Sequence, residues 1–345
     1  MLRFDILESR QRKCRKINYL LWENTVMAIY KKEHFGIARK IVSNMTSESW
    51  EQIPHMSASY EADVTDFLKE CKKLNAGADK NEKITINTVM MKVICEGLKA
   101  APKMNTTLDF NRSLVRGTLN YHDQIDISMP TMLSTGEMMT LNMHDMGNKT
   151  LEEMAAAVND TIRRANNSDM NEVMFEVSMD NTVNGLKKGK LKQTLCRLFG
   201  SKMPGKHKVH TLSGQAKKDY YAISEKDRLT KHDIEQGTTT ISNLGSVCRN
   251  QKGMCMLLEI IPPQTTAFAI NAVQERPVVV TDEFGRKKIE IRSILPITIA
   301  ADHRALDFGD CVPFLNKLDE IFANPQIIYE WSGRDFGSGK LEEAC

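Results

Sequence analysis

The sequence predicts an α/β (α+β) domain in which helices alternate with a mixed sheet, and three features carry that prediction. Apolar residues recur at helical spacing near 36–46, 63–74, 83–100 and 150–165. Short apolar runs broken by turn residues fill 105–143. After Asp233 the chain becomes rich in β-branched runs before one last helical segment. No internal repeat or long low-complexity tract competes with this arrangement.

Taken in order, residues 1–35 read as an N-terminal helical extension, with Ile17, Leu20, Leu21, Met27 and Ala28 forming an apolar stripe beside a basic face. Residues 36–345 read as the main domain, interrupted by a basic insertion at about 167–222. A helix is expected over 36–46 with Ile37, Ile41 and Val42 inward, then a strand over 53–64. The next helix, 63–74, turns Val64, Phe67, Leu68 and Cys71 to one side. Residues 83–100 form the most apolar helix, which Pro102 stops. Ser134-Thr135-Gly136-Glu137 marks a turn between two apolar runs. Thr150 with Glu153 three residues on is a capping-box pattern that opens the helix to Ala165; beyond it the chain reads as polar and irregular. Further strands are expected at 237–244, 267–272 and 294–299. A separate hairpin is expected from 278–280 and 288–291 around Asp282-Glu283-Phe284-Gly285. A helix over 311–323, ended by Asn324-Pro325, closes the domain.

Composition narrows the function. With 41% hydrophobic and 26% charged residues, the 345-residue chain is neither disordered nor fibrous. Its 47 Lys and Arg against 44 Asp and Glu leave a net charge of +3, which gives no reason to expect nucleic-acid binding. No apolar run approaches the ~18–20 residues that span a bilayer. The charged stretch from Met1 to Lys16 does not read as a secretory signal. Eight scattered cysteines then read as reduced thiols, and a cytoplasmic location is expected. No Cys or His spacing fits a zinc site, and His207 and His210 stand too isolated, so no metal is expected.

Two local features carry candidate chemistry. Ala301-Asp302-His303-Arg304-Ala305-Leu306-Asp307 follows an expected strand, so His303 falls where side chains are presented to a cleft. A histidine flanked by acids has its orientation fixed and titrates near neutral pH, which suits a general base; a strand-end histidine satisfied by its neighbours has the same spacing. Thr240-Ile241-Ser242-Asn243-Leu244-Gly245 places a hydroxyl at a strand end, where it can donate to an oxyanion or simply cap the strand.

An ordered series of motifs goes further. Trp50-Glu51-Gln52-Ile53-Pro54-His55, Glu61-Ala62-Asp63-Val64-Thr65, Pro102-Lys103-Met104-Asn105, Asp126-Ile127-Ser128-Met129, Asn148 to Met154, Thr240 to Gly245, Pro262-Pro263-Gln264 and Asp302-His303-Arg304 succeed one another along the chain. Together they resemble the catalytic domain of the dihydrolipoamide acyltransferases of 2-oxoacid dehydrogenase complexes, a fold shared with chloramphenicol acetyltransferase. The resemblance runs from about residue 36 to 325. It implies a mixed sheet with helices on one face, His303 as general base on a thiol, Ser242 as donor to the tetrahedral oxyanion, and Asp307 in a polar supporting role. Asp302, Arg304 and Asn243 are implied as structural support. In this family the His and Ser come from neighbouring subunits of a trimer, so a homotrimer or larger trimer-based assembly is implied. The substrate implied is a thioester, an acyl-CoA or an acylated carrier, with no covalently bound cofactor.

Three departures shape the expectation. No lipoyl domain or Ala/Pro-rich linker is recognisable, so the chain reads as a stand-alone acyltransferase. Phe308 follows Asp307 where the family has Gly, and Gly309 comes one later. Between Lys187 and Lys218 there are ten Lys or Arg and no Asp or Glu, with Leu191, Leu195, Leu198 and Phe199 at helical spacing. This segment fits an acyl carrier protein, an anionic membrane surface or a solvated excursion. A non-catalytic oligomeric scaffold, or a subunit that binds an acylated partner, is the alternative to an active enzyme; a third version changes the acceptor to an amine, alcohol or carbon nucleophile.

Overall fold

A computed structural model describes residues 30–78, 83–133, 136, 138–187, 195 and 211–334. The expected helix at 1–35 and most of the basic stripe around Leu191, Leu198 and Phe199 lie outside these residues. The described elements are α1 (Ile37–Gln52), β1 (His55–Asp63), α2 (Thr65–Leu74), α3 (Ile86–Ala100), β2 (Thr106–Asn111), β3 (Arg116–Tyr121), β4 (Ile127–Met132) and β5 (Met138–Met143). They continue with α4 (Leu151–Asn166), α5 (Met170–Lys187), α6 (Gly214–Ala222), β6 (Thr239–Asn243) and α7 (Leu244–Val247). The last are β7 (Thr266–Ile270), β8 (Gln274–Thr281), β9 (Lys287–Asp302) and α8 (Phe308–Ala323).

Strands β1, β9, β7, β6, β4 and β5 lie side by side in that order, and β8 joins β9 to make a mixed seven-stranded sheet. The β4–β6 and β6–β7 pairs are parallel; the others are antiparallel. Side chains alternate across a strand, so Ile241, Phe268, Ile270, Ile297 and Ile299 all turn to one face. There they bury against Phe67 and Leu74 of α2, Val93, Ile94 and Leu98 of α3, and Phe314 and Leu318 of α8. On the opposite face Ile53, Ile260, Ala267 and Ala300 make a small second core. Strands β2 and β3 form a separate, largely exposed hairpin.

The capping box holds: the Thr150 hydroxyl accepts the Glu153 N–H, and the Glu153 carboxylate accepts the Thr150 N–H. Three expectations need correction. The hairpin arm at 288–291 and the strand at 294–299 are one strand, because the first half of β9 pairs with β8 while the second half is held between β1 and β7. The region after Ala165 is not irregular but carries α5, whose Val173 and Met174 pack with Leu133, Leu141 and Leu229. Val42 faces solvent rather than the core, since α1 rests on that satellite cluster through Ala38 and Ile41. Among the described residues, no helix is long and apolar enough to cross a membrane.

Two predictions follow from packing and charge. A Cβ on Gly97 would lie 2.6 Å from the Phe314 ring and 3.0 Å from Leu318 where α3 meets α8. Phe314 is itself fully buried and stacked on Phe268, so Gly97→Ala is expected to cost about 1–3 kcal/mol in urea unfolding. At the far side of the sheet, the His144 Nδ1 lies 3.3 Å from Asp126 Oδ2. That contact raises the imidazole above its ordinary value of 6.5 and lowers the carboxylate below 3.8. The lowered acid stabilises the fold above its unfolded value and the raised base below its own, so the contribution is fullest between about pH 4 and 6.5. The stability gap between the wild type and His144→Gln should be widest there and close at alkaline pH, as read from urea midpoints.

Candidate active site

The site begins where β9 ends. Asp302 is opposite His55 in β1, and its N–H donates to the Thr265 carbonyl at 2.9 Å, so the strand is gripped from both sides up to its last residue. The next N–H, that of His303, donates to the Pro54 carbonyl at 3.0 Å. The chain then turns: the N–H groups of Ala305 and Leu306 both reach back to the Asp302 carbonyl, at 2.9 and 3.0 Å. The Asp302 carboxylate is wholly buried, and Arg304 meets it with Nε at 3.0 and 3.1 Å, Nη2 at 2.6 Å and its backbone N–H at 2.9 Å. A bidentate guanidinium is the partner that a buried carboxylate needs. The same guanidinium lies 5.8 Å from the Phe110 ring of the β2–β3 hairpin.

This turn pushes the His303 ring outward, where its side chain is 53% exposed. Its Nδ1 is 3.1 Å from the Leu306 carbonyl and 3.4 Å from Asp307 Oδ1. A carbonyl only accepts, so Nδ1 carries the proton and Nε2 keeps the basic lone pair. No described residue engages Nε2. Asp307 directly precedes α8, with a side chain 84% exposed, and its N–H donates to Asp310 Oδ2 at 2.9 Å. Lys103 reaches the same Asp310 oxygen at 2.8 Å. Phe308 occupies the first turn of α8 half exposed, with its ring outside the core.

Ser242 is elsewhere. It sits on β6, half-buried, paired with Ala269 and facing away from the helical layer that takes Ile241. Asn243 ends the strand by accepting the Ser246 N–H at 3.0 Å, and Gly245 lets this turn close on β7, since a Cβ there would meet the Asn271 carbonyl at 2.8 Å. In register, Ser242 is level with Ala269 and Thr298. The run from Thr298 to His303 at about 3.3 Å per residue, with two interstrand steps of about 4.8 Å, puts serine and histidine roughly 19 Å apart.

The structure therefore gathers His303, Asp307, Asp302 and Arg304 at one end of the sheet and leaves Ser242 and Asn243 at the other. Sequence reasoning missed the Leu306 and Pro54 carbonyls, which no side-chain pattern can signal. Beside the histidine turn an open groove of about 1440 Å³ runs between Trp50, Pro54, the β2–β3 hairpin, Pro263 and Arg304. Among the described residues, no group of three or more His, Cys, Asp or Glu could hold a metal ion.

The model of the family described as 2-oxoacid dehydrogenases acyltransferase (catalytic domain) matches residues 29–179 and 208–329. The dihydrolipoyllysine-residue acetyltransferase component of the pyruvate dehydrogenase complex of Zymomonas mobilis is 22% identical over 288 residues, covering 83% of this chain and 48% of that protein. The chain thus spans about half the length of the curated relatives it matches. Among solved structures, the cubic core of the pyruvate dehydrogenase multienzyme complex superposes with a TM-score of 0.60 at 16% identity, covering 88% of this chain and 96% of that one. The dihydrolipoamide acetyltransferase of Azotobacter vinelandii, whose structure was used to investigate a serine, a histidine and an asparagine in its catalytic mechanism, gives 0.58 at 16% identity with the same coverages. These superpositions show a shared fold.

One consequence of the buried pair can be measured directly. Arg304→Met leaves the Asp302 charge enclosed and unpaired, so unfolding should lose about 3–5 kcal/mol, whereas the double change with Asp302→Asn should recover a large part of it.

Proposed function

Given that this chain belongs to the family of 2-oxoacid dehydrogenase acyltransferase catalytic domains, we propose that it moves an acyl group from a thioester, an acyl-CoA or an acylated carrier, to a thiol. The observation that carries this reading is His303 Nδ1 lying 3.1 Å from the Leu306 carbonyl, which selects the Nδ1–H tautomer. With Nδ1–H committed to the Leu306 carbonyl, the outward Nε2 is free to take a proton from an incoming thiol. The thiolate attacks the thioester carbonyl, and the tetrahedral oxyanion takes a hydrogen bond from the Ser242 hydroxyl. Collapse breaks the original carbon–sulfur bond, and the departing thiolate recovers the proton from the imidazolium. Atoms and charge balance without any group beyond the two thiols and the acyl carbonyl.

A separation of roughly 19 Å within one protomer supports a reaction between copies. In the proposed homotrimer, His303 of one subunit faces Ser242 of the next across a shared channel. We place the protein in the cytoplasm, in keeping with eight scattered cysteines that read as reduced thiols. The ten basic residues between Lys187 and Lys218 suit an acidic carrier protein as the acyl donor. Residues 188–194 and 196–210 of this segment lie outside the described structure.

The test mixes purified protein with acyl-CoAs of graded length and a dithiol. His303→Ala should abolish CoA release, and Ser242→Ala should lower kcat by about 10²–10³-fold. Co-expressed His303→Ala and Ser242→Ala chains should regain activity, because some interfaces then join an intact histidine to an intact serine. Absence of His303-dependent CoA release at every chain length would favour the scaffold alternative.

A further inference from the structure

Lys103 takes no direct part in the proposed acyl transfer, yet its ammonium ends a chain of contacts that begins at the histidine. His303 Nδ1 is 3.4 Å from Asp307 Oδ1, the Asp307 N–H donates to Asp310 Oδ2 at 2.9 Å, and Lys103 Nζ donates to that same oxygen at 2.8 Å. Lys103 comes from the short 3₁₀ turn Pro102–Met104 after α3, and Asp310 from the first turn of α8, so the contact ties the catalytic corner to a separate part of the core. Resting on the acyl-transfer reading of His303, we infer that Lys103 is a positioning residue: it neutralises Asp310, holds the backbone of Asp307 in place, and so leaves one net carboxylate charge, that of Asp307, acting on the base.

Both partners are charged in the fold. The bond to Asp310 raises the Lys103 ammonium above its ordinary value, and the bond to Lys103, with the Asp307 N–H, lowers the Asp310 carboxyl. The other charged and titratable groups at this corner are Asp302 and Arg304, which pair with each other, Asp307 beside the imidazole, and Tyr121 of β3 on the Lys103 side. His55, opposite Asp302 on β1, is committed through Nδ1 to the Ile53 carbonyl and through Nε2 to the Ile260 N–H.

The assignment makes a prediction of sign that a purely structural role does not. Lys103→Gln exposes the His303 imidazolium to a second carboxylate and should move the histidine profile to higher pH. Asp310→Asn leaves an unopposed ammonium and should move it to lower pH. A unit charge on the order of 10 Å away in a water-like medium moves such a profile by about 0.3 pH unit at low salt. Lys103→Arg should keep the wild-type profile, and the Lys103→Gln, Asp310→Asn double variant should return to it. The readout is the pH dependence of His303 carbethoxylation by diethyl pyrocarbonate, followed by peptide mass spectrometry on the full chain, with the pH dependence of kcat/KM beside it. Carbethoxylation needs no substrate, so its shifts test Lys103 even if no acyl transfer is found. Activity with an unmoved profile would overturn the Lys103 assignment alone. Single variants that fold and shift in the same direction, or not at all, would also overturn it.

Discussion

The carboxylate of Asp302 sits at the end of the longest strand with no access to water, and the guanidinium two residues later encloses it. A charge in that position is tolerable only while the turn brings Arg304 back on itself, so the ion pair dictates the backbone path between them. His303, the residue in the middle of that path, is forced outward as a result. Its main chain is pinned to Pro54 and its ring to Leu306. The exposed imidazole is thus placed by a buried ion pair together with its own contacts to Pro54 and Leu306.

Strand register sets the second constraint. Because β6 and β7 run parallel and β9 runs against them, the C-terminal ends of β6 and β9 point to opposite edges of the sheet. Ser242 and His303 each occupy one of those ends. No local motion of a loop closes a gap made of ordered β-structure, and a chemistry that needs both groups has to be assembled between chains. The exposed β2–β3 hairpin and the groove beneath it belong to the same corner as the histidine, where the Arg304 guanidinium rests against Phe110.

The region after α4 shows a different use of buried polarity. The carboxylate of Glu172 on α5 is fully buried, accepting the Leu212 N–H and the Tyr221 hydroxyl, while Arg228 lies 5.4 and 5.3 Å from the rings of Tyr220 and Tyr221. These contacts fasten both sides of the segment 180–207 that the family match omits, so its basic charge is attached to a firmly packed base.

Much of this was legible in the sequence because it depends on local rules. The capping box at Thr150, the Pro102 stop, the apolar face of Phe67 and Cys71, and the order of motifs ending in Asp302-His303-Arg304 all follow from spacing and residue type. The merging of two expected segments into β9 was not legible, because Arg292 and Ser293 read as a break until β1 and β8 pair across it. Nor was the helix at 170–187, whose Met170, Val173 and Met174 are buried by partners as distant in sequence as Leu133 and Leu229. The sequence by itself determined the family, through the order in which its motifs succeed one another. Tertiary structure alone decided that the histidine's tautomer is held by a backbone carbonyl and that the serine lies at the far end of the sheet, since hydrogen bonds to main chain and relative strand direction leave no trace in side-chain identity.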